Sequence, residues 1–309
     1  MIGRYVLVKI ARAFLTLWVV VTFGFLVLAT TGDPLDALVG DDAPPEVAEQ
    51  YAQRFGLDRP IHEQYFSYLA SVARFDFGIS YSDETPVADL ILEALPKTLE
   101  LGLISMAFGV VLGVGLGIVA AIKRNTVIDR FAMGFAVFGF SIPNFFFGIL
   151  LILIFSLYLR ILPSAGSDSP LHFIMPVATL ATHLGGQFAR FTRSSVLEVL
   201  GRTYMRSARA RGIRARARLL FHALPNASIP FVTVLGIRLG DILAGSIIVE
   251  TVFAWPGLGR LIVKAVAARE LAVVMGGLLV AASAMILANL AVDLFYGWVD
   301  PRMRRGRSV

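Results

Sequence analysis

Long apolar segments decide what this chain can fold into. A helix that crosses a membrane needs about 20 mainly apolar residues, and six segments approach or exceed that length. They are Ala13–Gly32, Thr98–Ile122, Phe131–Leu159, Phe173–Ala189, Ala227–Val249 and Leu271–Trp298. Only 16% of the residues are charged, against roughly 25% in soluble domains. The sequence therefore predicts an all-α, polytopic membrane protein with six transmembrane helices, the last five forming a core over residues 98–298.

The first apolar segment follows Arg4, Lys9 and Arg12, an arrangement that a cleaved signal sequence would also have. Its apolar run is longer than the core of a usual signal peptide, and "VLATTG" is a poor cleavage site. We therefore expect residues 1–32 to form a cytoplasmic N-terminus and an uncleaved first helix.

Positive charge collects on one side of the six predicted helices. Basic loops stay in the cytoplasm, so both termini are expected inside. The basic stretches are the N-terminus, the connection with Lys123, Arg124 and Arg130, the loop 193–226 and the tail 299–309. The opposite loops also hold some positive charge, at Arg160, Arg260, Lys264 and Arg269.

The segment 33–97, between the first two predicted helices, is acidic and patterned like a soluble fold. "PPEVAEQYAQRF" indicates a helix that opens at Pro45, and "IHEQYFSYLASVARF" repeats the pattern. Aromatic residues are frequent here, which argues against a disordered loop. We expect a small external helical subdomain.

Two features predict how the membrane helices pack. Gly109, Gly113 and Gly117 recur at four-residue steps, and small residues at this spacing let helices approach closely in lipid. That face could pack beside a moving pathway or serve ordinary helix packing. Pro143 should bend the third segment because proline removes a helix hydrogen bond.

The sequence lacks the residues that several kinds of chemistry require. The chain has no cysteine, which removes disulfides and thiolate metal sites. No lysine completes the G-x-x-x-x-G-K-[ST] phosphate loop of an ATPase. The four histidines do not have metal-ligand spacing, and no catalytic set is recognisable. We therefore expect neither catalytic residues nor a bound metal.

The loop between the fourth and fifth predicted helices carries eight arginines from Arg193 to Arg218. Topology alone accounts for the charge, so nucleic-acid binding is not needed. Topology does not account for the internal pattern, in which Gly212 is followed by nine residues and then by "HALP". This pattern resembles the coupling segment of ABC importer permeases, E-A-A, three residues, G, nine residues, I-x-L-P. Gly212, Leu224, Pro225 and Ala208 match it.

Three positions depart from that pattern, since Arg206, Ser207 and His222 replace the glutamate, the first alanine and the isoleucine. These departures fit the peptide branch, whose usual form, Y-x-R-T-A-R-A-K-G-L, is similar to "YMRSARARGI". Further landmarks resemble the same branch in the right order: "TGDPLDALVG", "GLDRPIHEQYFSYL", "FDFGISY", "SIPNFFFGILLILIFSLYLRILPSAG", "ETVFAWPGLGRLIVKAV" and "NLAVDLFYGWVDPRMR". The chain is identified as a member of the dipeptide, oligopeptide and nickel importer permeases, as the B-type subunit.

The resemblance implies the type I importer permease fold in the bacterial inner membrane. It implies work with a second homologous permease, two cytoplasmic ATPases and an external binding protein. ATP and Mg²⁺ would bind the ATPases, and this chain would bind no cofactor. The residues expected to couple with an ATPase are Arg206, Ser207, Ala208, Arg209, Gly212, Leu224 and Pro225, with Leu219, Leu220 and Phe221 anchoring the second short helix of the loop.

Polar residues within the predicted helices are the candidates for a translocation pathway. They are Asn144, His183, Gln187, Arg238 and Asp241. Charges at membrane depth are costly unless they are paired or face water. Arg238 and Asp241 share a helix face, so they could serve the cargo, pair with each other, or pair with Asp293 or Arg190. A lone histidine such as His183 is more often a packing residue.

Other functions remain open at this stage. A secondary transporter would need a proton or sodium relay, for which Arg238 and Asp241 are weak evidence. A membrane-bound enzyme would need a catalytic set near the membrane face. Within the family, dipeptides, longer peptides, glutathione and nickel are alternative cargoes.

Overall fold

A computed structural model describes residues 2–31, 44–56, 58–80, 82–240, 242 and 246–299. Regular structure in these ranges is helical, apart from one isolated antiparallel bridge between Ile79 and Pro86. The helices are α1 (Ile2–Thr31), α2 (Pro45–Phe55), α3 (Ile61–Ala73), α4 (Val87–Ile122), α5 (Val127–Ser141), α6 (Asn144–Leu151), α7 (Leu171–Leu200), α8 (Thr203–Ala210), α9 (Ala215–Ala217), α10 (Leu224–Gly240), α11 (Ile247–Val252), α12 (Leu258–Ala267) and α13 (Leu271–Val299). Two π-helical stretches, Ile152–Tyr158 and Arg218–Ala223, extend α6 and precede α10. The prediction of an all-α protein is confirmed.

Three helices in the described ranges are long and apolar enough to cross a membrane: Ile10–Val27 of α1, α4, and Leu271–Val292 of α13. Two bent helix pairs raise the number to five if each pair is one span. The bends are 102° between α5 and Asn144–Tyr158, and 41° between Ala215–Ser228 and Pro230–Gly240. The remaining predicted segment lies in α7, which also carries arginines. Six crossings therefore stay a prediction.

Predicted boundaries differ from the observed helices for local reasons. α4 begins at Val87, inside the segment 33–97 predicted to be external, because its helical pattern continues unbroken ahead of Thr98. α7 runs to Leu200, so the predicted loop 193–226 begins as helix. The bend predicted at Pro143 is confirmed, since α5 ends at Ser141 and α6 begins directly after the proline. In the fifth segment, α10 is described as far as Gly240, and the predicted end at Val249 lies within α11.

The chain divides into two compact units, the first made of Met1–Thr98 and Pro256–Leu287. Here both helices predicted in the external segment are confirmed as α2 and α3. α3 packs on α1: the Phe25 ring lies 5.3 Å from Tyr65 and 6.4 Å from Tyr68 between ring centroids. The hydroxyls of Thr22 and Tyr65 are 2.6 Å apart. α3 therefore folds onto α1.

Buried polar contacts hold the rest of the first unit. The hydroxyl of Ser80 donates to Oε2 of Glu270 at 2.6 Å, and both side chains are buried. The backbone N–H of Leu258 donates to Oγ1 of Thr98 at 2.7 Å. An apolar cluster that includes Val87, Ile262 and Val273 packs α4, α12 and α13 against one another.

The second unit comprises Leu99–Trp255 and Ala288–Val309, and α7 lies at its centre. The glycine face of α4 meets α7 directly. A Cβ added at Gly113 would lie 2.5 Å from Cβ of Phe188, and one at Gly117 would lie 2.6 Å from Cβ of Thr192. The spacing of small residues thus produces close packing between α4 and α7.

Candidate functional site: the basic loop and the polar cavities

The basic loop folds into short helical pieces around a glycine turn. α8 ends at Ala210, and Gly212 takes a left-handed conformation with φ of +76°. Its N–H donates to the carbonyl of Arg209 at 3.0 Å, and the N–H of Ile213 donates to that of Ala208 at 3.2 Å. Open space surrounds the position of a Cβ at Gly212. The conformation, rather than crowding, therefore favours glycine here.

α8 presents its basic side chains to the surface. Met205 and Ala208 are buried beneath the helix, whereas Arg206, Ser207 and Arg209 are exposed. Of the residues in α8 that are expected to couple with an ATPase, Ala208 therefore packs on the buried side of the helix. The other three form an accessible polar and cationic surface.

The stretch after the glycine turn exposes apolar residues. Leu219 packs against a buried cluster of Ala121, Val196 and Ala227. Leu220 is 54% exposed and Phe221 is 74% exposed. The expectation that all three anchor this stretch is therefore wrong for Leu220 and Phe221. Consecutive helical residues point in different directions, so one of the three faces the core and two project outward.

The loop enters α10 through Leu224 and Pro225. Leu224 packs against the same cluster as Leu219, which ties the loop to the helices of the second unit. Pro225 stands in the first turn of α10. The side-chain amide of Asn226 donates to the carbonyl of His222 at 2.7 Å, which satisfies a backbone acceptor beside the proline.

Four of the five candidate pathway residues line one small cavity of about 120 Å³. Asn144 comes from the start of α6, His183 and Gln187 from α7, and Arg238 from α10. These three helices therefore bring residues that are distant in sequence to a common wall. The fifth residue, Asp241, lies outside the described residues, and so does the side chain of Asp293, one of its suggested partners.

Polar atoms line this inner cavity. Nε2 of Gln187 lies 2.9 Å from Nε2 of His183, and since an amide nitrogen only donates, the imidazole nitrogen accepts. Ser246 donates to Oε1 of buried Glu250 at 2.8 Å. The hydroxyl of Ser105 also lines the cavity, is fully buried, and has no hydrogen-bond partner in the described part of the chain.

An open cleft of about 680 Å³ adjoins the inner cavity, because Gln187 and Arg238 line both. Arg190 and Arg193 complete its basic wall. The guanidinium carbon of Arg190 lies 5.6 Å from the Phe140 ring centroid, and Phe140 stacks on His183, also at 5.6 Å. The cleft is thus basic and partly aromatic.

Sequence reasoning missed Ser105 as a site residue and considered Arg190 only as an ion-pair partner. Arg190 follows Gln187 by three residues, and helical spacing places such residues on one face. That signal was present in the sequence. Ser105 had no comparable signal, since its position depends on how α4 packs against α7.

Comparison with known proteins identifies the class. A profile described as "Binding-protein-dependent transport system inner membrane component" matches residues 113–305. The profile of the N-terminal part of this membrane component matches residues 1–102. The chain belongs to this family and is the inner-membrane permease subunit of an ABC importer, which is not itself an enzyme.

Curated relatives match along nearly the whole chain. The glutathione transport system permease protein GsiC of Escherichia coli strain K12 is 42% identical over 302 residues, covering 97% of this chain and 99% of that protein. The corresponding protein of Shigella flexneri serotype 5b is 41% identical over the same length.

Solved structures share the fold. An inward-facing conformation of the MetNI methionine ABC transporter superposes with a TM-score of 0.58 at 21% identity, covering 68% of this chain and 96% of that chain. An amino acid ABC transporter gives a TM-score of 0.53 at 17% identity, covering 67% of this chain and 93% of that chain. The predicted importer permease fold is confirmed at this level.

Proposed function

We propose that this chain forms half of the translocation path of a small-peptide importer, with glutathione as the leading cargo. The second half is a homologous permease subunit. The cargo proposal is supported by 42% identity along 97% of the chain to a glutathione permease. A polar inner cavity beside a basic cleft also suits a small, charged peptide better than an apolar solute.

The loop 193–226 transmits work from a separate cytoplasmic ATPase. The observation that carries this proposal is the exposure of Leu220 and Phe221 on a basic loop, beside the glycine turn at Gly212. Apolar side chains so exposed outside an apolar span are typical of a docking surface. Leu219 and Leu224 pack the loop against the buried cluster of the second unit. A displacement of the loop by the ATPase therefore moves α7 and α10.

Alternating access then opens the path to either side of the membrane. Asn144, His183, Gln187 and Arg238 line the path, and Asp241 belongs to the same proposal. Because α6, α7 and α10 all contribute to one cavity, a rigid-body movement of α7 and α10 would change its shape. The ATPase subunits, which bind ATP and Mg²⁺, supply the chemical energy, and this chain holds no cofactor.

The membrane topology follows from the charge distribution. Both termini and the basic loop lie in the cytoplasm. α2 and α3 lie outside, where they help to dock an external binding protein that first captures the peptide. Exposed acidic residues on these helices, such as Glu46 and Glu63, support this placement.

Copurification tests the coupling proposal. The double variant Leu220→Ser, Phe221→Ser should insert normally but retain much less ATPase when the tagged permease is purified. Val127→Ser, which alters an exposed apolar residue at the start of α5, is the matched control. Equal ATPase recovery from wild type and the double variant would contradict the docking assignment.

A further inference from the structure

α5 carries a mainly apolar groove on a different face from the one that lines the basic cleft. The cleft uses Met133, Val137 and Phe140 of this helix, and the groove uses none of them. The groove measures about 440 Å³, within the range of about 300–1,000 Å³ that is usual for ligand pockets. We call it the α5 groove, and its lining residues are Val127, Arg130, Phe131, Gly134, Phe135 and Phe138.

Gly134 leaves the middle of the α5 groove open. No other group in the described part of the chain lies within 4 Å of the position that a Cβ would take there. Val127 and Phe131, on the same face, are 75% and 79% exposed. Contiguous apolar side chains that are this exposed mark a surface that another molecule covers, and the glycine provides the room for it.

The two ends of the α5 groove differ in polarity. Arg130 lies near the start of α5, and Lys123 precedes the helix on the connection from α4. Both side chains are exposed, and neither forms an ion pair in the part of the chain that the structure describes. From Arg130 to Phe138 the groove runs about 12 Å along the helix, and its lining beyond Arg130 is apolar. It therefore suits a molecule with an anionic group at one end and a hydrocarbon chain along the rest.

We propose that the α5 groove binds an anionic phospholipid, with its phosphate against Arg130 and an acyl chain along Gly134 to Phe138. Basic side chains at the cytoplasmic ends of membrane helices attract anionic headgroups. α5 leads from a basic connection into an apolar segment, so the order of charge and hydrocarbon along the groove matches the order in one leaflet. This inference goes beyond the proposed import function and uses its topology only to choose the cytoplasmic leaflet.

A second protein surface is the alternative cover for this face. A protein partner could also bury Phe131 and Phe135, but it would not require that the only charged lining residue, Arg130, stand at one end of the groove. The graded polarity therefore favours a lipid, and the experiment below separates the two occupants.

Native mass spectrometry of the complete importer in detergent tests the inference. The probes are phosphatidylglycerol and phosphatidylcholine with identical acyl chains, so that they differ in headgroup charge. Wild type should bind the first phosphatidylglycerol about fivefold more tightly than the first phosphatidylcholine, which is the factor expected from one basic residue near the membrane surface. Lipids at other sites contribute alike to each variant, so the comparison of wild type with variants locates the effect.

Variants at the two ends of the argument give separate results. Arg130→Gln should remove most of the preference for phosphatidylglycerol, and Arg130→Lys, which keeps the charge, should retain it. Gly134→Leu should weaken binding of both lipids several-fold, because its side chain would fill the groove without meeting another described group. Thermal denaturation shows whether each variant is folded, and the retained preference in Arg130→Lys keeps the test valid if Arg130→Gln is not.

Two controls match these variants. Arg160→Gln changes an exposed arginine outside the α5 groove. Gly115→Leu changes a glycine of α4 whose Cβ position is equally open. Both should bind the two lipids as wild type does.

Equal binding of the two lipids by wild type would overturn the inference, and so would a full preference in Arg130→Gln. If Gly134→Leu lowers recovery of the partner permease and leaves lipid binding unchanged, a protein covers this face and the inference is wrong. ATP-dependent peptide uptake by the same wild-type importer reports the proposed function independently. Uptake without lipid preference would refute only the lipid site, whereas lipid preference without uptake would refute only the function.

Discussion

Arg193 and Asp129 join α7 to α5 through two parallel hydrogen bonds. Nε of Arg193 donates to Oδ1 of Asp129 at 2.7 Å, and an Nη2 hydrogen is donated to Oδ2 at 2.8 Å. The backbone N–H of Asn125 donates to Oδ2 at 2.9 Å, and Asp129 is only 4% exposed. This ion pair therefore fixes the first turn of α5 to the part of α7 that leads into the basic loop.

Arg193→Lys should lower the thermal midpoint of the purified permease although it keeps the charge, because lysine cannot make the paired contact. Asp129→Asn should lower it further. The control is Arg202→Gln, which breaks an exposed pair with Glu198 across the end of α7. Exposed pairs contribute about 0.2–1 kcal/mol, so the thermal midpoint of the control should shift little. Equal shifts for Arg193→Lys and Arg202→Gln would show that the paired geometry is unimportant.

The contact between α4 and α7 predicts opposite effects at two nearby glycines. A Cβ at Gly113 would meet Phe188 and lie 2.6 Å from the carbonyl oxygen of Gly185, whereas nothing lies within 4 Å at Gly115. Gly113→Ala should therefore destabilise the protein by about 1–3 kcal/mol through overpacking. Gly115→Ala should be neutral or slightly stabilising. Thermal denaturation in detergent measures both, and equal destabilisation would refute the close packing.

Sequence patterns predict much of the fold because lipid imposes long apolar runs. α1, α4 and α13 follow from hydropathy, and the bend before α6 follows from Pro143. The same patterns do not show that Gly113 faces α7, since any helix could have filled that role. The ion pair between Asp129 and Arg193 links residues 64 positions apart, and no local pattern specifies it.

The candidate site was predictable in part. Asn144, His183, Gln187 and Arg238 stand out as polar residues in apolar segments, and the structure places them around one cavity. Ser105 does not stand out, because a serine in a membrane helix is common and its burial depends on tertiary packing. The outward direction of Phe221 could not be foreseen either, because it depends on which residues of this stretch pack against the buried cluster.

Gly212 should tolerate asparagine better than other residues. Its φ of +76° costs about 1–2 kcal/mol for most L-residues, and asparagine adopts such a conformation more readily. We expect Gly212→Val to insert normally but to lose most uptake and peptide-stimulated ATP hydrolysis, and Gly212→Asn to retain more of both. Gly201→Ala is the control, since Gly201 has an ordinary φ of −79°. Wild-type coupling in Gly212→Val would show that the glycine turn is not needed for coupling.

A cysteine at Asp83 should react with a membrane-impermeant maleimide in intact cells. Asp83 is exposed and lies in the segment predicted to be external, and the chain has no native cysteine to interfere. Arg209→Cys in the basic loop should react only after permeabilisation. The reverse pattern would invert the proposed topology.

ATP-dependent accumulation of labelled glutathione in proteoliposomes tests the central claim most directly. The vesicles contain this chain, its partner permease and the ATPases, with the binding protein supplied on the external side. We predict accumulation when ATP is present on the side of the basic loop, and none when a proton or sodium gradient replaces ATP. Accumulation driven by an ion gradient without ATP, or unchanged when the ATPases are omitted, would contradict the account.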